Sequence, residues 1–374
     1  MTAVREYMVV FGIALGVTYS FASIARMLAE HFGAVARVRD RDVHARPTPY
    51  FGGIAMLAGL WAGYLTATHL PFLSQSEASV FSDARAVLIG GSAICLVGVI
   101  DDLFELDALS KLAGQVFAGV LVVALGVRFF YLPFPGGVFG LDGVQSAIFT
   151  VLLIVGTANA VNFVDGLDGL AAGMVAIGAV AFFIYAFLLA VENGESRAIA
   201  GALLSVALAG VCIGILPHNF FPARMFIGDS GSMLVGFVLA CSSITLTGQF
   251  PARPFVEGIA GGQANYLASL LPLILPVAML MVPFADLLLA VVRRTRSGRS
   301  PFSPDKLHLH HRLLEIGHTH RNAVLSMYSV AALVAFGTVA LSLISGWLSV
   351  VAVAVLAVLT AMFLFLVPRW WPAQ

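Results

Sequence analysis

Charge is what this sequence most lacks. Of 374 residues only 20 are Lys or Arg and 20 are Asp or Glu, 11% together, while 60% are hydrophobic. Soluble domains carry about 25% charged residues, so the chain is short of the groups that would solvate a globular surface. A bilayer is the solvent that fits. The net charge is zero, which leaves no basic field to attract nucleic acid. Cysteine is also scarce. Cys95, Cys212 and Cys241 fall inside apolar runs without metal-ligand spacing, and read as small core hydrophobes rather than disulfides or ligands. No cleavable signal peptide is expected, because the run after residue 7 is long enough to stay as a helix. Two-half symmetry is missing from the spacing of runs and charges, which weakens an inverted-repeat transporter.

What is present in quantity is apolar sequence of spanning length. A bilayer-crossing helix needs about 20 apolar residues, and eleven runs are of that size: residues 7–28, 51–70, 84–100, 109–130, 145–161, 170–191, 198–216, 232–247, 266–292, 323–345 and 347–367. The expected fold is therefore an all-α, polytopic membrane protein of about eleven spans, with residues 1–374 forming one membrane-embedded domain. Arg37, Arg39, Arg41 and Arg46 fill the first connection, and Arg293, Arg294, Arg296, Arg299, Lys306, Arg312 and Arg321 the ninth. The outer connections hold single arginines, Arg128, Arg197 and Arg253. The positive-inside rule then places the odd connections and the C-terminus in the cytoplasm and the N-terminus outside. Trp370 and Trp371 suit an interfacial anchor.

On this topology every polar cluster falls on one face, as expected of a single cytoplasmic site built from several connections. Asp101 and Asp102 close the third run, where two adjacent carboxylates are disfavoured by each other and by the helix dipole. A divalent cation or a cationic partner relieves that; two solvated loop acids is the plainer reading. Asn159, Asn162, Asp165 and Asp168 recur every third residue, a spacing that lines one helix face, although Asp168 also suits an ordinary N-cap. Asp229, in Phe226-Ile-Gly-Asp-Ser-Gly-Ser, opens the eighth run, as either a helix cap or a carboxylate that holds magnesium against phosphates. His308, His310, His311 and Arg312 follow the ninth run. Without a cysteine partner, and too close together to converge, the histidines suit phosphate contacts better than zinc. Asp286, inside the ninth run near its cytoplasmic end, is an intramembrane acid and so a functional candidate.

Taken together these segments resemble the polyprenyl-phosphate N-acetylhexosamine-1-phosphate transferase family, whose members start O-antigen, teichoic acid and arabinogalactan linker synthesis, and whose distant relative is the phospho-MurNAc-pentapeptide translocase. The motifs occur in family order from about Arg37 to Arg321: the aspartate pair with its downstream Lys111, the Asn-Asn-Asp-Asp segment 159–170, the segment 219–232, and His308-Leu-His-His. The first connection departs from the family's Arg-Lys-x-His by extra acids, Asp40 and Asp42, and keeps His44 and Arg46 as candidates before Gly52-Gly53.

The resemblance implies a magnesium-dependent enzyme, with manganese an acceptable substitute. It would move GlcNAc-1-phosphate, or a related HexNAc-1-phosphate, from a UDP-sugar to a polyprenyl phosphate and release UMP. It implies Asp229 as the main metal ligand with Asp101 or Asp102 beside it, and one of that pair, Asp101 ahead of Asp102, as the group that helps activate the lipid phosphate. Asn219 and Phe226 would hold the uridine, Asp165 and Asp168 would order the nucleotide-sugar and metal, and the His308–Arg312 group the phosphates or sugar. The His loop and the leucine-rich aspartate motif favour a soluble UDP-HexNAc donor over the pentapeptide donor. The expected setting is a bacterial cytoplasmic membrane, with a homodimer compatible with this reading. The rival from another class is an ion-coupled transporter, which predicts acids near mid-membrane rather than at one face.

Overall fold

The computed structural model describes residues 2–36, 47–134, 137–191, 194–196, 198–247, 295–296, 298, 319–343 and 347–370. Among them the chain forms α1 (Thr2–Phe32), α2 (Gly52–Ala67), a short α3 (Pro71–Ser74), α4 (Ala78–Phe104), α5 (Ala108–Ala124), α6 (Gly143–Val164), α7 (Leu170–Val191), α8 (Ala198–Asn219), α9 (Gly228–Thr247), α10 (His320–Leu343) and α11 (Trp347–Trp370). Ten of the eleven expected runs coincide with helices; the run 266–292 lies outside the described residues. Among the described residues seven helices are long and apolar enough to cross a membrane: α1, α4, α6, α7, α8, α9 and α10. The α2 and α5 helices are apolar too, but at 16 and 17 residues they rise only about 24–26 Å. The architecture is that of a multi-pass helical membrane protein.

Two small antiparallel ladders qualify the all-α expectation. Val35–Ala36 (β1) pairs with Thr48–Pro49 (β2), and Tyr131–Phe134 (β3) with Gly137–Gly140 (β4). Both lie in connections, where backbone leaving a helix needs partners that lipid cannot supply.

The helix boundaries follow from local chemistry. Asp107 caps α5 by accepting from the Ser110 N–H, and Asp142 caps α6 in a reciprocal capping box with Gln145. The α4 helix ends where Glu105 turns left-handed, at φ 49°. At the opposite end of the bundle from the motifs, buried Glu6 of α1 accepts the backbone N–H groups of Phe72 and Leu73 at 2.8–3.0 Å and so seats α3. That acid is fully explained as a structural acceptor.

The centre of the bundle is α8 and α9, of whose apolar windows 89% and 94% are buried. Around them α1 packs on α2 and α8, α4 and α6 on α9, α7 on α8, and α10 on α7. Small residues allow the close crossings. A Cβ on Gly210 would meet the Phe11 carbonyl of α1 at 2.7 Å, the kind of backbone approach that membrane helices use in place of a hydrophobic driving force. The start of α9 is held most tightly of all. A Cβ on Gly98 of α4 would lie 2.4 Å from the Ser230 Cα and N, and one on Gly53 of α2 would lie 2.3 Å from the Gly231 N. Main-chain bonds complete the seat: the Gly52 N–H donates to the Phe226 carbonyl, the Gly53 N–H to that of Ile227, and the Phe226 N–H to that of Pro49, all at 2.8–3.1 Å.

Candidate active site

The seat at the start of α9 opens on a cavity of about 780 Å³. Its walls come from the ends of five connected stretches: Gly33–Ala36 and Tyr50, Asp101–Leu106, Asn162 with Asp165–Asp168, Asn219, and Phe226 with Gly228–Asp229. Segments far apart in sequence therefore meet at one end of the bundle.

The polar centre is built from four helices, α4, α5, α6 and α9. Lys111 of α5 contacts Asp101 Oδ2 at 2.9 Å, forms a short ion pair with Asp229, and lies 3.5 Å from Asn162 Oδ1. Asn162 of α6 donates through Nδ2 to the Asp229 carboxylate and to Ser232 Oγ, the latter at 2.8 Å. Asp101 also accepts the Leu106 N–H at 2.8 Å, which fixes the turn after α4. Asp102 accepts the N–H groups of Asp229 at 2.8 Å and Ser230 at 3.3 Å. It is a helix cap supplied from another helix, satisfying amides that α9 cannot satisfy itself. Gly228, at φ +68°, turns the chain into α9, and a Cβ there would strike the Asp102 carboxylate at 2.6 Å.

The i, i+3 stripe expected of Asn159, Asn162, Asp165 and Asp168 holds for the two asparagines only. The α6 helix stops at Val164; Asp165 follows as its C-cap and Asp168 lies in the turn before α7. Asp168 is buried and accepts the Ala223 N–H at 2.9 Å. Asn219, also buried, accepts the Gly169 N–H and donates to the Met225 carbonyl, both at 3.1 Å. The same turn is held from α10, where the Tyr328 hydroxyl donates to the Gly169 carbonyl. Asn159 does not line the cavity. It faces Gln115 of α5 in an amide pair.

Among the described residues none donates a hydrogen bond to the Asp165 carboxylate or pairs with it. Burial first, then the charges of Asp229, Asp102 and Asp168, hold its pKa well above the ordinary carboxylate range. A carboxyl raised in this way destabilises the fold as pH rises through the ordinary range, because the unfolded chain ionises first. Asp165→Asn is therefore expected to raise the thermal midpoint at neutral pH, on the order of 2 °C in detergent. If Asp165 also serves the site, the same change lowers turnover. A midpoint that falls contradicts the electrostatic account.

Phe226 and Tyr50 stand together on one wall, with ring centroids 5.9 Å apart. His44, Arg46, Asp286, His308, His310, His311 and Arg312 lie outside the described residues. The residues flanking the first of these groups, Ala36 and Thr48, are paired beside the cavity. Sequence reasoning missed Gln115, Ser232, Tyr50 and Tyr328. A lone Gln in an apolar run, four residues after Lys111, was the one signal that pointed to Gln115.

The convergence of the Asp-Asp, Asn-Asn-Asp-Asp and Gly-Asp-Ser-Gly segments on one cavity can be set against known proteins. Residues 84–247, which run through α4 to α9, match the family described as glycosyl transferase family 4. The chain is 46% identical over 338 residues to decaprenyl-phosphate N-acetylglucosaminephosphotransferase of Mycolicibacterium smegmatis, covering 89% of this chain and 81% of that one. The chain belongs to the polyprenyl-phosphate N-acetylhexosamine-1-phosphate transferase family. A second family relative, the decaprenyl-phosphate N-acetylglucosaminephosphotransferase of Mycobacterium tuberculosis, is 47% identical over 89% of this chain and 82% of its own. Similarity to phospho-N-acetylmuramoyl-pentapeptide-transferase of Mycobacterium avium is lower, 33% over 64% of this chain and 76% of that one.

Proposed function

We propose that the chain transfers GlcNAc-1-phosphate, or a close HexNAc-1-phosphate, from a UDP-sugar to a polyprenyl phosphate. The observation that carries this reading is Lys111, Asn162 and Asp101 gathered around Asp229 beside the cavity, in a family with relatives named decaprenyl-phosphate N-acetylglucosaminephosphotransferase. A lipid-phosphate oxygen attacks the β-phosphorus of the donor, the bond to the bridging oxygen breaks, and UMP leaves with it. One phosphoanhydride replaces another, so the step is near thermoneutral, and catalysis is positioning and charge neutralisation.

The charge balance of the site supports a divalent cation. Among the described residues six acids, Asp101, Asp102, Glu105, Asp165, Asp168 and Asp229, line a cavity that must admit anionic phosphates, and Lys111 pairs with two of them, Asp101 and Asp229. Among the described residues no three carboxylate, imidazole or thiol groups form a ready-made metal site. Magnesium does not need one, because it is held through one or two carboxylates and completed by phosphate oxygens and water. Asp229 would hold the ion, with manganese a substitute, and its chemistry there would be neutralisation of the donor diphosphate. Asp102, spent on capping α9, would orient Asp229. Lys111 would hold the carboxylates together and meet incoming phosphate. Phe226, with Tyr50 beside it, offers a flat apolar wall for a nucleobase, and Asn219 keeps that wall in place.

A lipid acceptor and a soluble donor meet only at a membrane surface, so the site would lie at the cytoplasmic face of a bacterial inner membrane. The arginine distribution supports that orientation, with eleven spans and an outer N-terminus. The test is UMP release by the purified protein in detergent, supplied with UDP-GlcNAc and a polyprenyl phosphate, with and without magnesium. Release that requires both lipid and metal upholds the proposal, and exchange of donors then identifies the sugar. Release with the pentapeptide donor alone replaces it with the translocase reading.

A further inference from the structure

Beneath the contact of Lys111, Asn162 and Asp229 lies a second polar layer drawn from the same three helices. Gln115 is one turn on from Lys111 in α5, Asn159 one turn back from Asn162 in α6, and Met233 one turn on from Asp229 in α9. Gln115 is fully buried. Its Nε2 donates to Asn159 Oδ1 at 3.2 Å and to Met233 Sδ at 3.1 Å, and its Oε1 accepts from Asn159 Nδ2 at 2.5 Å. The other Asn159 N–H goes to the Val155 carbonyl at 2.8 Å. Every amide N–H of the pair is used, and a buried polar network that is complete holds one arrangement, because any slip leaves amides unpaired.

The α5 helix gains from such a device. Its only other buried residues are Ala118, Gly119 and Val122, all further from the site, while Leu109 and Phe117 are 75% and 61% exposed. Near the site α5 packs closely at Gly114, where a Cβ would lie 2.7 Å from the Val97 side chain of α4, and the amide pair adds a directional contact to that packing. A slip of one residue turns a helix by about 100° and would carry Lys111 away from Asp101 and Asp229.

We infer that Gln115 is a positioning residue for the transfer reaction, locking the register of α5, α6 and α9 so that Lys111 and Asn162 meet Asp229; the inference rests on the transferase reading. Gln115 touches no cavity surface and acts through Lys111. The test compares Gln115→Met, which keeps length without the amide, with the exchange Gln115→Asn plus Asn159→Gln, which re-forms the amide pair with its carbons redistributed. The expected result is a fall of about 10–100-fold in kcat for Gln115→Met, with KM for UDP-GlcNAc changed less than about threefold. The exchanged pair should recover about tenfold over either of its single changes.

Unchanged kcat in Gln115→Met, or an exchange no better than its single changes, would overturn the inference. Should Gln115→Met fail to fold, Gln115→Glu takes its place, able to accept from Asn159 but left with at most one donor where the amide has two. If the unaltered protein releases no UMP, the transferase reading fails by itself. The register is then read from labelling of Lys111 by trinitrobenzenesulfonate. Faster labelling in Gln115→Met upholds the lock, and equal labelling refutes it.

Discussion

Asp229→Asn is expected to lower UMP release by about 10³-fold while the protein stays folded. The side chain keeps its shape and still accepts from Lys111, but loses the charge on which two donors converge. Lys111 and Asn162 both contact it, and its own N–H is capped by Asp102. A carboxylate held by that many donors cannot swing away to another partner, and it sits in the first turn of α9, where a negative charge is favoured. On the metal role proposed for Asp229, the change should also move a magnesium dependence to higher concentration, because one hard ligand would be lost. Turnover against magnesium concentration, measured beside a thermal melt, separates the outcomes. Activity above a tenth of that of the unaltered protein at ordinary magnesium would place the metal elsewhere among the carboxylates.

Gly98→Ala should be nearly as damaging without touching any polar group. The added methyl would lie 2.4 Å from the Ser230 Cα and N, which are backbone atoms of the neighbouring helix rather than the end of a flexible side chain. Overpacking of this kind costs about 1–3 kcal/mol, and relief by moving α9 takes Asp229 out of reach of Lys111. The expected result is a thermal midpoint several degrees lower and UMP release below about 1%. Gly156→Ala in α6 is the control. A Cβ there meets nothing within 4 Å, and the change should be neutral or add up to about 1 kcal/mol through helix propensity. Equal activity in the two variants would show that the seat of α9 tolerates more space than the packing implies.

The helices were legible because hydropathy over a spanning length is a strong signal, and the aspartates because acids at a membrane boundary are costly to keep. What escaped the sequence was contact between segments. Asp102 looks like half of a metal pair, yet its bonds run to the amides of a helix that begins 126 residues later, at Gly228. The stripe through Asn159 and Asp168 fails because spacing alone does not show where a helix stops, and α6 stops at Val164. Gly53 and Gly98 look like ordinary membrane-helix glycines until the helix that lies on them is known. Gln115 was missed, because its meaning depends on Asn159 and Met233 facing it.

The seat of α9 also bears on how the protein is made. Synthesis runs from the N-terminus, so α2 and α4 are in place well before α9 leaves the ribosome. Until then the glycine floor at Gly53 and Gly98, the Asp102 carboxylate and the free carbonyl of Pro49 form a mould without its casting. The nascent chain would carry most of the site's acids through that interval with no Asp229 to complete them. The contacts of Lys111, Asn162 and Asp102 with Asp229 would form in one step, when the ninth helix is laid down.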